Sequence, residues 1–134
     1  MIIIARRFEF DMGHRVFGHE GKCKWPHGHR YACEVHLTGE LDQIGRVIDY
    51  GEIKNVLGSY IDDKLDHGFA IYKEDKQLLK AFKQLDDSRL IVLPFNPTAE
   101  NLAAHLTREF KKLVPQVKGV TLYETPNCKA TYGI

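Results

Sequence analysis

This chain of 134 residues has few cysteines, almost no net charge and no long apolar run. The three cysteines are odd in number and lack a regular spacing, which argues against structural disulfides and favours a reducing compartment. The longest apolar opening, Met1 to Ala5, is too short for a signal peptide or a membrane span. We therefore expect a cytoplasmic protein.

The balance of charge limits the classes of binding partner that we expect for this chain. Nineteen basic and eighteen acidic residues give a net charge of +1, and both signs are mixed along the chain. No basic surface for nucleic acid or for an anionic membrane is expected from such a distribution. The length suits one domain, residues 1–134, with a core of its own. A small molecule is the expected partner.

Two segments of alternating apolar residues carry histidine at one end of their apolar face. In the first, roughly residues 2 to 12, the parity of the apolar positions continues to His14. The second begins with His27 and His29, which are two residues apart and so point to the same side of an extended strand. If the strands pair antiparallel, the end of the first lies beside the start of the second. The pattern therefore predicts that three imidazoles converge.

Three imidazoles without an obligatory fourth ligand are typical of a catalytic zinc site, where one position stays open for water or substrate. Nickel or iron suits the same ligands, so zinc is the default interpretation. One alternative is a closed structural site in which Cys23, in the loop before His27, supplies a fourth ligand. Another is a zinc hydrolase that uses the three histidines to activate water.

The remaining periodicity predicts an α+β fold. Asp49 and Thr98 each precede a helical pattern of apolar residues and are expected to be N-caps, which gives Asp49 a structural rather than a catalytic interpretation. A shorter helical segment and an extended piece, Leu90 to Leu93, lie between these helices. We expect an antiparallel sheet of four strands with the helices on one face. The four predicted strands cover roughly residues 2–12, 27–38, 117–124 and 129–132.

A carboxylate ends the apolar face of the strand after the last helix. Val120, Leu122 and Glu124 share one parity, so Glu124 closes an apolar face just before a turn. A carboxylate in such a place is costly unless it is hydrogen-bonded. A ligand with a guanidine-like edge would satisfy it with two parallel N–H donors. The alternative is an ion pair with a nearby lysine or arginine.

Six blocks, in order along nearly the whole chain, resemble the 6-pyruvoyl-tetrahydropterin synthase and 6-carboxytetrahydropterin synthase superfamily. The blocks are Phe10-Asp11 before His14, Cys23-x3-His27-Gly28-His29, Val47-Ile48-Asp49-Tyr50, Leu65-Asp66-His67, Pro97-Thr98-Ala99-Glu100-Asn101 and Glu124-Thr125-Pro126. The resemblance implies the tunnelling fold (T-fold). It also implies a homohexamer, a dimer of trimers in which the sheets of each trimer join into a barrel and the sites lie between subunits.

The resemblance further implies a role for seven residues. It implies Zn²⁺ on His14, His27 and His29, a catalytic Cys23, an Asp66–His67 couple, and Glu124 as the anchor of the pterin ring. The substrate would be 7,8-dihydroneopterin triphosphate. A thiolate near a bound dication and basic neighbours is a plausible base, and a histidine can return protons near neutral pH.

The spacing of the Cys23 block separates two branches of the superfamily. Three residues lie between Cys23 and His27, which resembles the carboxy-forming branch that serves the deazapurine (queuosine) pathway. That branch is a lyase that releases acetaldehyde and triphosphate and leaves 6-carboxy-5,6,7,8-tetrahydropterin. The alternative is the pyruvoyl-forming branch, which tends to have a longer insertion and releases triphosphate alone.

Overall fold

The computed structural model describes residues 1–134 and contains six strands, three α-helices and one short 3₁₀ turn, Lys22–Lys24. None of the helices combines the length and the apolar character needed to span a bilayer. In chain order the elements are β1 (Ile4–His14), β2 (His27–Leu37), α1 (Tyr50–Lys64), β3 (Gly68–Tyr72), α2 (Lys76–Leu85), β4 (Leu90–Leu93), α3 (Ala99–Leu113), β5 (Val117–Thr125) and β6 (Cys128–Tyr132).

The predicted antiparallel strands form the larger part of one sheet, whose order is β4-β3-β1-β2-β5-β6. β1 and β2 pair along their whole length, from Ile4 opposite Leu37 to His14 opposite His27. β5 pairs antiparallel with β2, and β6 with β5. The first strand therefore begins and ends two residues later than the apolar alternation indicated, and it includes His14.

The sheet has six strands rather than the four expected, because β3 and β4 extend it beyond β1. β3 pairs parallel with β1, and β4 pairs parallel with β3. Parallel neighbours need a crossover, and α1 and α2 lie within the two connections. The sequence pattern missed β3 because Gly68–Tyr72 is a short apolar run without alternation, which periodicity alone cannot assign.

The core lies between one face of the sheet and helices α1 and α3. Alternate residues of β2 face it and are fully buried: Tyr31, Cys33, Val35 and Leu37. Helix α2 packs on the opposite face of the sheet. Its Phe82 contacts Phe69, and Phe69 points away from the core because its neighbour on the strand, Ala70, points into it. Full burial of a large apolar side chain contributes about 1.5–3 kcal/mol, so this face fixes the register that also sets the histidines.

Both predicted N-caps are confirmed. Asp49 accepts a hydrogen bond from the backbone N–H of Gly51 at 2.7 Å, and Thr98 accepts one from the N–H of Asn101 at 3.2 Å. Asp49 therefore has the structural role expected of it. The Thr98 cap also fixes the start of α3 directly after Pro97, whose carbonyl group takes part in the site described next.

Candidate active site

Three imidazoles meet at one end of the β1–β2 pair. His14 is the direct cross-strand partner of His27, and His29 follows on the same face of β2. The ring centroids of His14 and His27 are 4.7 Å apart, those of His14 and His29 5.2 Å, and those of His27 and His29 4.9 Å. One ring nitrogen from each residue lies within 4.8 Å of the others. The predicted convergence is confirmed.

Backbone carbonyl groups orient two of the rings. The Nδ1 atom of His14 is 2.7 Å from the carbonyl oxygen of Pro97, and the Nδ1 atom of His27 is 2.6 Å from that of Trp25. A carbonyl oxygen only accepts, so each Nδ1 carries the proton and donates. The lone pair is then on Nε2 in both residues. This arrangement is how proteins orient histidines that bind a metal.

Burial favours the neutral form of His14 and His29. It lowers the pKa of His14 from 6.5 to about 4, although the hydrogen bond to Pro97 acts in the opposite direction. Burial also lowers the pKa of His29, and the nearby His27 adds to this effect. Neutral imidazole is the form that coordinates a metal. The convergence of three imidazoles on one point fits a metal with three protein ligands.

The lowered pKa of His14 makes the metal-free protein sensitive to acid. Because burial depresses the folded-state value, stability is fully present above the unfolded-state pKa of 6.5 and declines as pH falls toward about 4. Between pH 7 and pH 5 we expect this residue to cost about 2 kcal/mol of unfolding free energy. Urea unfolding of the metal-free protein at both pH values measures the loss. His14→Gln, which keeps an N–H donor, should reduce it, and an unchanged loss would contradict the assignment to His14.

Cys23 lies in the 3₁₀ turn, outside the histidine cluster. The backbone carbonyl of Cys23 accepts a hydrogen bond from the N–H of Val16 at 2.8 Å, which closes the loop between β1 and β2. Its side chain is exposed and free. Its sulfur is not among the ligand atoms within 4.8 Å of one another, which comprise only the three histidines. The converging donors are therefore the three histidines of an open site, and Cys23 is not placed as the fourth ligand of a closed structural site.

Glu124 borders the cluster from β5. Its Oε2 atom is 3.5 Å from the Nε2 atom of His14, and no lysine or arginine lies within ion-pairing distance of it. The alternative in which Glu124 pairs with a basic side chain is therefore not formed within the chain. Burial raises the pKa of Glu124, the neighbouring Glu100 raises it further, and His27 partly offsets both. Such a carboxylate favours a ligand that brings its own N–H donors.

Asp66 and His67 form a hydrogen-bonded pair at the start of β3. The Nδ1 atom of His67 is 2.9 Å from one carboxylate oxygen of Asp66, and the other oxygen accepts the backbone N–H of Asp11 at 2.9 Å. These bonds lower the pKa of Asp66, the one from Asp11 more than the one from His67. Asp66 is thus held as a carboxylate that orients the ring of His67. The imidazole itself is largely exposed.

The backbone at His67 is in the left-handed region, with φ at 60°. Few residues other than glycine adopt it, and such strain concentrates at functional sites. Asp11 and Arg89 hold this turn through three hydrogen bonds. The N–H of His67 donates to the carbonyl of Asp11 at 2.7 Å, and the guanidinium of Arg89 donates to the carbonyls of Asp63 and Asp66. Neither Arg89 nor the carbonyl of Pro97 was found from the sequence, because each acts through a tertiary contact that leaves no periodic pattern.

Within one chain the seven residues do not share one groove. His29 and His67 line a groove of about 470 Å³ together with Asp11 and Arg30. Glu124 lines a separate groove of about 410 Å³ with Glu100. The structure thus brings Glu124 beside the three histidines, and it places His67 in the groove of His29 but not in the groove of Glu124.

Comparison with known proteins identifies the family of this chain. The family model described as 6-pyruvoyl tetrahydropterin synthase matches residues 3–133. A 6-carboxy-5,6,7,8-tetrahydropterin synthase of Rickettsia felis is 43% identical over 134 residues, which cover 96% of this chain and 97% of that protein. One of the same name from Haemophilus influenzae is 33% identical, with 98% and 99% covered.

Solved structures agree with the fold. An uncharacterized protein of Wolinella succinogenes has a TM-score of 0.82 at 26% identity, with 98% of this chain and 97% of that chain covered. The 6-pyruvoyl tetrahydropterin synthase of Caenorhabditis elegans has a TM-score of 0.73 at 25% identity, with 99% and 95% covered. The tunnelling fold is confirmed. The family model and the relatives together show that the chain belongs to the 6-pyruvoyl tetrahydropterin synthase family.

Proposed function

We propose that this chain catalyses the zinc-dependent conversion of 7,8-dihydroneopterin triphosphate to 6-carboxy-5,6,7,8-tetrahydropterin, acetaldehyde and triphosphate, in deazapurine (queuosine) biosynthesis. The observation that carries the proposal is that the Rickettsia felis and Haemophilus influenzae relatives, similar over nearly their whole length, are named for the carboxy product. The three-residue spacing between Cys23 and His27 supports the same branch.

The Nε2 atoms of His14 and His27, with His29, are the proposed ligands. A zinc ion bound there would supply Lewis-acid polarisation of the oxygens on the substrate's side chain, which makes the neighbouring C–H bonds more acidic. The carbonyl groups of Pro97 and Trp25 hold two of the rings in the required tautomer.

The chain's other residues would bind the ring and move protons. Glu124 accepts two N–H donors from the guanidine-like edge of the pterin, for which its unpaired carboxylate is suited. Cys23 takes a proton from the side chain of the substrate, and its exposed position in a turn leaves the sulfur accessible. His67 returns a proton while Asp66 orients its ring. Water supplies the new carboxylate oxygen, and oxidation of the side chain provides the two electrons that reduce the ring.

A homohexamer in the cytoplasm, built as a dimer of trimers, belongs to the same proposal. Two features of the chain support assembly. The sheet has open edges at β4 and β6, which association would cover. His67 and Glu124 line separate grooves within one chain, and in the proposed hexamer a neighbouring subunit supplies His67 to the site of Glu124.

The product distinguishes this proposal from the pyruvoyl-forming alternative. Purified protein, given 7,8-dihydroneopterin triphosphate and zinc without nicotinamide, is expected to release acetaldehyde and triphosphate in equal amounts. Mass spectrometry should find the 6-carboxy product, and boiled enzyme serves as the control. A stable 6-pyruvoyl product without acetaldehyde would assign the chain to the other branch, and no turnover would favour a structural metal module.

A further inference from the structure

One buried polar atom in this molecule has no partner among the protein's own groups, the hydroxyl of Tyr31. The residue is completely buried. A buried donor without a hydrogen bond destabilises the folded chain, and phenylalanine would fill the same space without that penalty. The hydroxyl is therefore a group that the fold does not need, placed where it destabilises the chain.

Its surroundings belong to the candidate site. The ring of Tyr31 lies 5.4 Å from that of Phe10, its cross-strand partner, and is stacked on it. It also meets His14 edge-on at 5.9 Å and His29 at 5.4 Å. The stacked ring of Phe10 and the two imidazoles at steep angles fix the plane of the phenol. The ring of Tyr31 is therefore held in one orientation beside the histidine cluster.

The register of the sheet places a second unsatisfied group beside it. Ala32 of β2 is opposite Tyr123 of β5. Tyr31 and Glu124 are the next residues along these two strands, and both adjoin His14: the ring centroid of Tyr31 is 5.9 Å from that of His14, and Oε2 of Glu124 is 3.5 Å from its Nε2 atom. The carboxylate of Glu124 accepts no hydrogen bond from the chain, and its 3.5 Å separation from Nε2 of His14 is an ion-pair distance. The hydroxyl of Tyr31 is thus a donor without an acceptor, and the neighbouring carboxylate of Glu124 is an acceptor without a donor.

We propose that Tyr31 is a positioning residue for Glu124, whose carboxylate accepts a hydrogen bond from the phenol when a ligand with a guanidine-like edge is bound. The inference rests on the proposed function. A carboxylate has about four lone-pair sites, and a bidentate ligand uses one on each oxygen. A third bond, from the phenol, holds the carboxylate in the plane that the ligand requires. An O–H donor on a carboxylate forms a short, strong bond of about 2.5–2.7 Å.

Substitution of Tyr31 by phenylalanine separates a role in binding from a role in folding. The ring packing on Phe10 is kept and only the hydroxyl is lost. We expect the melting temperature of the ligand-free protein to stay unchanged or rise, because the hydroxyl has no partner there. We expect affinity for 7,8-dihydroneopterin, measured by calorimetry, to fall about tenfold or more, and KM to rise with little change in kcat. Tyr60→Phe, on a half-buried tyrosine packed against Phe110, is the matched control and should change neither affinity nor KM.

A double-mutant cycle shows whether Tyr31 acts through Glu124. Glu124→Gln alone should also weaken binding. Because both changes remove parts of one unit, the variant with Tyr31→Phe and Glu124→Gln should bind no more weakly than Glu124→Gln. A pteridine with an oxo group in place of the 2-amino group cannot engage Glu124 in bidentate fashion, and its affinity should be insensitive to Tyr31→Phe.

Three results would overturn the inference. Unchanged affinity of Tyr31→Phe would do so, as would strictly additive effects in the cycle. Loss of stability in the ligand-free Tyr31→Phe variant with affinity intact would show that a buried water satisfies the hydroxyl. If the wild-type chain fails to bind the pterin, the proposed function falls and this inference with it. Wild-type binding that Tyr31→Phe leaves unchanged removes the inference alone.

Discussion

His27→Ala is expected to lose the bound metal and the catalytic activity together. The substitution leaves two imidazoles where three converge, and the Nε2 lone pair that the carbonyl of Trp25 orients is gone. Loss of a group that only orients a ligand costs about 10–100-fold in metal affinity, so loss of a ligand should cost more than about a hundredfold. Elemental analysis of both purified proteins should show one zinc per chain in the wild type and almost none in His27→Ala. Turnover should fall in parallel.

Two variants test the interpretation of this loss. His105→Ala changes a half-buried histidine of α3 that packs against Phe95, away from the cluster, and should keep the metal. Cys23→Ala should also keep it, since the sulfur is not among the converging ligand atoms. Full zinc content in His27→Ala would refute the three-histidine site. Loss of zinc from Cys23→Ala would make Cys23 a ligand and remove its role in proton transfer.

The convergence of the histidines was predictable because it depends on two rules of strand geometry. Side chains alternate, so His27 and His29 share a face, and antiparallel pairing brings His14 beside His27. The N-caps were predictable for a similar reason, since Asp49 and Thr98 act on amides two or three residues away. The histidine convergence and the N-caps could be predicted because they depend only on strand periodicity and on contacts between residues close in sequence.

The rest of the site depends on contacts between distant segments. His67 adopts a left-handed conformation, and Asp66 reaches its ring, because backbone groups of Asp11 hold this turn from 55 residues away. The sequence around Asp66 gives no sign of that conformation. The alternation of side chains along β2 places Tyr31 on the buried face, but the state of its hydroxyl depends on which groups the neighbouring strands β1 and β5 bring near it. Periodicity predicts which side of a strand is buried, not whether each polar atom there has a partner.

Cys23→Ala and His67→Asn are each expected to lose most turnover while keeping the metal and the fold. Removal of a general acid or base costs about 10²–10⁴-fold in rate. Asparagine is chosen at position 67 because it tolerates the left-handed backbone observed there. Neither side chain is buried, so the melting temperature of each variant should stay close to that of the wild type. Steady-state rates with 7,8-dihydroneopterin triphosphate measure the loss.

Coexpression of these two inactive variants should restore part of the activity if each site lies between subunits of a symmetric oligomer. In a random mixture, about one site in four pairs an intact Cys23 from one chain with an intact His67 from its neighbour, so about a quarter of wild-type activity is expected. Chains with two different tags allow mixed oligomers to be purified, and each variant coexpressed with itself is the control. Light scattering should show hexamers throughout. Mixed hexamers without activity would place Cys23 and His67 in the site of a single chain, and a monomer would refute the proposed assembly.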